Sequence, residues 1–146
     1  LRAVVTRVSS ASVTVGGRVT GEIGQGLLVL LGIAPADTPE HAAKLADKIT
    51  GLRIFEDGNG KMNLNLASVN GSLLVVSQFT LYADLKSRRP GFSGAAKPET
   101  AVPLYELFIE ECRKAGFNTQ SGVFGAHMKV ASVNDGPVTI VIDTDD

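Results

Sequence analysis

Two stretches of this chain, Leu27-Leu28-Val29-Leu30-Leu31 and Leu73-Leu74-Val75-Val76, are apolar at every position. In an extended strand successive side chains point to opposite faces, so a strand that is apolar throughout must be covered on both sides. The pair predicts a sheet that is packed on each face, which demands a chain long enough to supply the covering layers. At 146 residues the chain has the size of one domain, expected to span residues 1–146 as a single unit and to bury roughly 70% of its unfolded surface. Its 44% hydrophobic and 20% charged residues fit a packed core and not a disordered segment.

The other predicted elements follow from local pattern. Ala11, Val13 and Val15 alternate with Ser12 and Thr14, and Gly16-Gly17 then signals a hairpin into a strand from Arg18 to Glu22. Thr38 to Gly51 reads as a helix: Thr38 as cap, Pro39 at the first position, Glu40 near the positive dipole end, and Gly51 as a left-handed stop. Ala42, Leu45, Ala46 and Ile49 share one face of it. Leu52–Phe55 reads as a strand, Asp57–Gly60 as a turn, and Met62–Leu66 as extended. Thr100 to Ala115 reads as a second helix capped by Thr100, with Pro103 in its first turn and Leu104, Phe108 and Cys112 at four-residue steps. Two closing strands, Met128–Val133 and Val138–Ile142, are joined by Asn134-Asp135-Gly136-Pro137. Many strands and two helices give the expected class: α/β, with a strongly curved, barrel-like mixed sheet and the helices packed outside.

Composition removes several function classes. A formal net charge of −1 excludes a uniformly basic nucleic-acid wrapper but leaves room for a local basic patch. One cysteine, Cys112, permits neither an intrachain disulfide nor a thiolate zinc site, which favours a reducing, cytoplasmic setting. The longest apolar run, Leu27–Ile33, falls far short of the ~20 residues that cross a bilayer, and Leu1-Arg2-Ala3-Val4-Val5 lacks the charged region, long apolar region and cleavage site expected of a signal peptide. No P-loop, dinucleotide fingerprint or metal-ligand cluster is present. His41 reads as solvated surface, His127 as structural or exposed, Cys112 as an inert core thiol, and Asp143, Asp145 and Asp146 as a frayed acidic terminus.

Chemistry must then come from hydroxyls, amides, backbone groups or the substrate. Ser77-Gln78-Phe79-Thr80 offers such groups where a core strand turns abruptly polar, together with an aromatic face on which a base could stack. The plainer reading is a strand end that satisfies its own polar groups. Gly136-Pro137 likewise reads plainly as a hairpin turn with proline opening an edge strand. Lys86, Arg88 and Arg89 fit either a solvated loop or phosphate contacts. Arg7 stands within an apolar strand, where a guanidinium needs a designated partner.

Taken together these segments resemble the D-aminoacyl-tRNA deacylase family. The matching stretches are Arg7-Val8 with Ala11-Ser12-Val13; Gly26–Gly32; Leu52–Phe55 with Gly60–Leu64; Ser77–Leu81; Arg89-Pro90; and Asn134–Thr139, in order over residues 2 to 143. Thr6, Ser87 and His127 depart from the family's usual Gln, Gly and Asp. The resemblance implies a homodimeric cytoplasmic enzyme without metal or cofactor and not bound to membranes. Its expected reaction is hydrolysis of the ester between a D-amino acid, or mischarged glycine, and the 3′-terminal adenosine of tRNA.

By the same resemblance Ser77, Gln78, Phe79 and Thr80 line the pocket. Backbone N–H groups near Gln78 and Phe79 are candidate oxyanion donors, and Phe124 and Met128 are further pocket residues. Gly136-Pro137, joined by a cis bond, is expected to reach the partner's pocket, with Arg7 holding the region of the Gly136 carbonyl. Thr80 as nucleophile lacks an evident base, which favours water attack assisted by the tRNA 2′-hydroxyl. Two other classes stay open: an RNA-binding module without chemistry, and an editing domain of the kind attached to threonyl-tRNA synthetases.

Overall fold

A computed structural model describes residues 1–145; Asp146, part of the acidic terminus considered above, lies outside them. The chain begins with β1 (Arg2–Val15), turns through Gly16-Gly17 into β2 (Arg18–Ile23), and continues as β3 (Gly26–Gly32). After α1 (Pro39–Gly51) come the short strands β4 (Phe55–Glu56) and β5 (Met62–Leu64), then β6 (Ser72–Ser77). Helix α2 (Pro98–Lys114) precedes β7 (Thr119–Ser121) and a final strand, β8 (Lys129–Asp143). Both hairpin glycines have positive φ, the conformation that a two-residue primed turn requires.

The main sheet runs β2-β1-β3-β6-β7, with β3–β6 and β6–β7 parallel, the other pairs antiparallel, and β8 paired to β1. Its two faces separate by the period-two rule. Leu27, Val29, Leu31, Leu73 and Val75 join α1 and α2 in one core; Leu28, Leu74 and Val76 join Val8, Val13 and Ile23 in a second. Both apolar strands are thus covered twice, as their composition requires. The second core exists because the sheet curls until β2 meets β7: a Cβ on Gly21 would lie 2.6 Å from the Ser121 carbonyl oxygen and 3.0 Å from Leu74 Cδ1. The result is a nearly closed, mixed barrel with two helices. Among the described residues no helix is long and apolar enough to cross a membrane.

Several expectations are corrected. Gly51 is the last helical residue and carries no positive φ; α1 ends because Leu52 goes extended (φ −59, ψ 128). His41 is half-buried, and its Nδ1 accepts from the Thr38 N–H at 3.1 Å, closing the first turn instead of facing only water. Helix α2 starts at Pro98, with Lys97 and not Thr100 at the cap, so Pro103 lies inside the helix. Pro98 supplies the fixed φ and the dispensable N–H that favour a first position. The strand expected over Leu52–Phe55 is confined to Phe55–Glu56. Asp143 is not frayed: it belongs to β8, and its carboxylate accepts from Arg2 Nε at 2.9 Å.

The largest correction concerns the end of the chain. The two expected closing strands are one strand, β8, antiparallel to β1 from end to end. Thr6 pairs with Thr139 and Val8 with Asn134, so the residues between Asn134 and Thr139 oppose Arg7 alone and bulge out of the ladder. There is no hairpin at Gly136-Pro137.

Candidate active site

Strand β6 leaves the core at Ser77, and the next residues form a single 3-10 turn, Phe79–Tyr82. Beyond Ser77 the chain no longer pairs along a neighbouring strand, so its polar groups are released from the ladder. Gln78 still donates its N–H to the Leu31 carbonyl at 2.8 Å. That removes Gln78 from the backbone donors expected for an oxyanion. The N–H groups of Phe79 and Thr80 open the turn and have no partner among the described residues, as the first donors of a helical turn do. The Gln78 side-chain amide donates to Thr80 Oγ1.

These residues form one wall of a cleft of about 260 Å³. Val76, Ser77, Gln78 and Phe79 line one side; Phe124, Gly125, Ala126, His127, Met128 and Val130 line the other. The structure therefore brings together five of the expected site residues: Ser77, Gln78, Phe79, Phe124 and Met128. Thr80, expected in the lining, stands outside it, exposed beside Gln78. His127 is exposed as expected but lies on the cleft, a place its lone position in a glycine-flanked loop did not reveal.

The second wall is anchored to the helical layer. The Phe124 ring rests on Tyr105 of α2, with centroids 5.8 Å apart, and Tyr105 Oη donates to the Val75 carbonyl at 2.8 Å. Burial pushes the Tyr105 phenol up to about 12, so it remains a neutral donor at physiological pH. Met128 covers Gly122, where a Cβ would lie 2.5 Å from its sulfur, so the thioether packs directly on the glycine.

Gly136 and Pro137 occupy the bulge of β8, both exposed, with the peptide bond between them cis and Gly136 at φ +126. A Cβ on Gly136 would meet Val138 Cγ2 at 2.9 Å and Arg7 Nη2 at 3.0 Å. The partner that Arg7 needed is this bulge. Arg7 is only 5% exposed; its Nη1 donates to the Ile54 carbonyl at 2.7 Å and its Nε to the Asp135 carbonyl at 3.1 Å. The carbonyl held is that of Asp135, not Gly136. The carboxylates of Asp135 and Glu56 stand 3.6 and 3.9 Å from the guanidinium, which offsets the cost of burying its charge.

The bulge does not reach the cleft of its own chain. It lies opposite Arg7, level with Leu27 and Leu73, whereas Ser77 is level with Leu31. Three strand spacings across and four residues along separate them by roughly 15–20 Å. Lys86, Arg88 and Arg89 are also outside the cleft, exposed on a loop that follows the 3-10 turn and is closed by paired backbone bonds between Asp84 and Gly91.

Comparison with known proteins agrees with this architecture. Residues 4–143 match the family model described as D-Tyr-tRNA(Tyr) deacylase. The chain is 55% identical over 146 residues to a D-aminoacyl-tRNA deacylase of Symbiobacterium thermophilum, covering 99% of this chain and 97% of the relative. It is 57% identical over 145 residues to the one from Desulfatibacillum aliphaticivorans, with 99% of each chain covered. Among solved structures, a c-Myc DNA unwinding element binding protein superposes with a TM-score of 0.92 at 43% identity, covering 98% of both chains. A probable eukaryotic D-amino acid tRNA deacylase shares the fold at a TM-score of 0.83 and 17% identity, with 97% of each chain covered.

Proposed function

The chain belongs to the D-aminoacyl-tRNA deacylase family, and from that premise we propose how this ester hydrolase divides its work between the cleft and the β8 bulge. The cleft receives the terminal adenosine and the scissile ester. The observation that carries this reading is the convergence of Ser77, Gln78 and Phe79 with Phe124 and Met128 around one opening. Free N–H groups of Phe79 and Thr80 beside it are suited to stabilise the oxyanion that forms when the ester carbonyl is attacked.

The attacking group is water, positioned with help from the tRNA 2′-hydroxyl. Thr80 is poorly placed as a nucleophile: it is outside the cleft lining, and its oxygen already accepts from the Gln78 amide. No carboxylate, lysine or imidazole is hydrogen-bonded to it among the described residues, so nothing takes its proton. Catalysis then rests on position and electrostatics.

Selection against L-aminoacyl esters comes from Gly136 and Pro137 of a second copy, inserted into the cleft. Discriminating hands while ignoring side-chain identity requires a rigid wedge, since no side-chain pocket fits many amino acids. The bulge has the right character: no side chain at Gly136, a fixed φ at Pro137, and a backbone tied to buried Arg7. Its distance from its own cleft supports a partner in the role. Among the described residues the outer edge of β8 is unpaired, and the strand carries the exposed Val130 and Val133, a strand edge that favours association. Glycine esters, lacking a side chain, pass the same filter. Lys86, Arg88 and Arg89 contact tRNA phosphates, and the enzyme works in the cytoplasm, where aminoacyl-tRNA is made.

The purified protein is expected to deacylate D-Tyr-tRNA and Gly-tRNA while sparing L-Tyr-tRNA. Binding to all three without ester loss would leave an RNA-binding module; release of an L-amino acid would instead point to a synthetase-type editing domain.

A further inference from the structure

On the reading above, the terminal nucleoside and its ester occupy the cleft, and the nucleotide before them continues past its rim at Phe79. Single strands outside a pocket are held by aromatic faces and nearby cations. One aromatic ring stands there. Phe92 meets Phe79 edge-to-face, with centroids 5.0 Å apart and planes at 74°, yet it takes no part in lining the cleft.

Phe92 is 38% exposed, and its backbone is fixed on both sides. Gly91 pairs with Asp84 through two backbone bonds of 2.7 and 3.0 Å, and the Ala95 N–H donates to the Phe92 carbonyl at 3.1 Å. The loop so pinned carries Lys86, Arg88 and Arg89, three cations within four residues of a chain whose net charge is −1. A stacking face beside a cluster of cations matches a base followed by its phosphates.

We propose that Phe92 is the stacking residue for the nucleotide preceding the terminal adenosine of the tRNA substrate, the second base of the bound 3′ end. This inference rests on the reading of the cleft given above. It makes Phe92 a determinant of substrate length, since only a substrate with a nucleotide 5′ to the adenosine can use it.

The test compares two esters, 3′-O-(D-tyrosyl)adenosine and the dinucleotide D-tyrosyl-cytidylyl-adenosine, on wild type, Phe92→Ala, Phe92→Leu and Phe92→Trp. Phe92→Ala is expected to raise KM for the dinucleotide about five- to tenfold, the lower end of what base stacking contributes, with kcat unchanged and the nucleoside ester unaffected. Phe92→Leu, which retains apolar support for Phe79, is expected to behave like Phe92→Ala, and Phe92→Trp to restore the wild-type KM. Equal loss on both esters would make Phe92 a mere prop for Phe79 and overturn the proposal, as would no loss on either. A changed sedimentation coefficient for Phe92→Ala would assign the ring to an interface between copies instead. Wild type inert on both esters would remove the functional reading, and this inference with it; activity on both with no Phe92 effect removes the inference alone.

Discussion

The cleft beside Ser77–Phe79 is recessed, and its walls continue into the core through Tyr105, β3 and β6. The bulge at Asp135–Pro137 is exposed and is steadied from below by one buried guanidinium. The first region has groups that can bind and polarise an ester but nothing that reads the hand of an amino acid. The second has a stiff backbone edge but nothing to hold a substrate. Each lacks what the other supplies, and within one chain they are too far apart to meet. On the reading proposed above, in which a second copy supplies the bulge, each region can be disabled by its own mutation.

The largest effect is expected from Gly136→Ala. The added Cβ has no room against Val138 and Arg7, and the residue would keep a φ of +126 that L side chains rarely adopt. Because the inserted backbone would also fix the position of the bound ester, displacing the bulge by about 1 Å is expected to cost about 100-fold in kcat/KM on D-Tyr-tRNA, with the fold retained by circular dichroism. Near-wild-type turnover would show that the bulge does not belong to the site.

Arg7→Leu comes next. It leaves the Ile54 and Asp135 carbonyls without their donor, which is expected to cost about 2–4 kcal/mol of stability in denaturant titration and to relax the preference for D over L esters. Unchanged stability and unchanged selectivity would mean that the bulge holds itself. Arg7→Lys keeps the charge but loses the fork, and is expected to fall between wild type and Arg7→Leu.

How much of this was legible beforehand differs between the regions in the same way. Strands β3 and β6 were legible because being apolar at every position leaves only one physical outcome, and the convergence of Phe124 and Met128 on the Ser77 strand end followed from the family resemblance. The course of β8 was not: Asn-Asp-Gly-Pro is a turn sequence by local rules, and only pairing with β1 on both sides of it decides for a bulge. The use of the Gln78 N–H by Leu31 and the start of α2 at Pro98 are likewise settled by neighbours that local pattern does not specify. Thr80 belongs with these, since its motif placed it in the pocket while the 3-10 turn carries it outside.

Thr80→Ala therefore has a smaller expected effect. Deacylation should stay within about tenfold of wild type, because the hydroxyl has no base to activate it. Replacing the tRNA terminal 2′-hydroxyl by hydrogen should slow turnover far more. The reverse ranking in single-turnover assays would make Thr80 the nucleophile.

The interior beneath both regions should be silent in activity but visible in alkali. Burial raises the Cys112 thiol from its ordinary 9.0 to about 12 and the Tyr105 phenol from 10.0 to about 12. Both groups are raised in the folded state, so their contribution is full below pH 9 and is lost as pH rises towards 12, when the unfolded chain ionises first. Denaturant midpoints should fall over that window, and Cys112 should resist alkylation at pH 8 until the protein unfolds.

Mixing two impaired variants tests the divided site most directly. Gly136→Ala displaces the bulge, and the double variant Gln78→Ala/Phe79→Ala strips the cleft wall. If each site takes its cleft from one copy and its bulge from another, unfolding and refolding the two together in equal amounts should restore about a quarter of wild-type D-Tyr-tRNA deacylation, since half the dimers are mixed and each has one complete site. Activity no higher than the sum of the separate variants, in a sample shown to contain mixed dimers, would contradict the account.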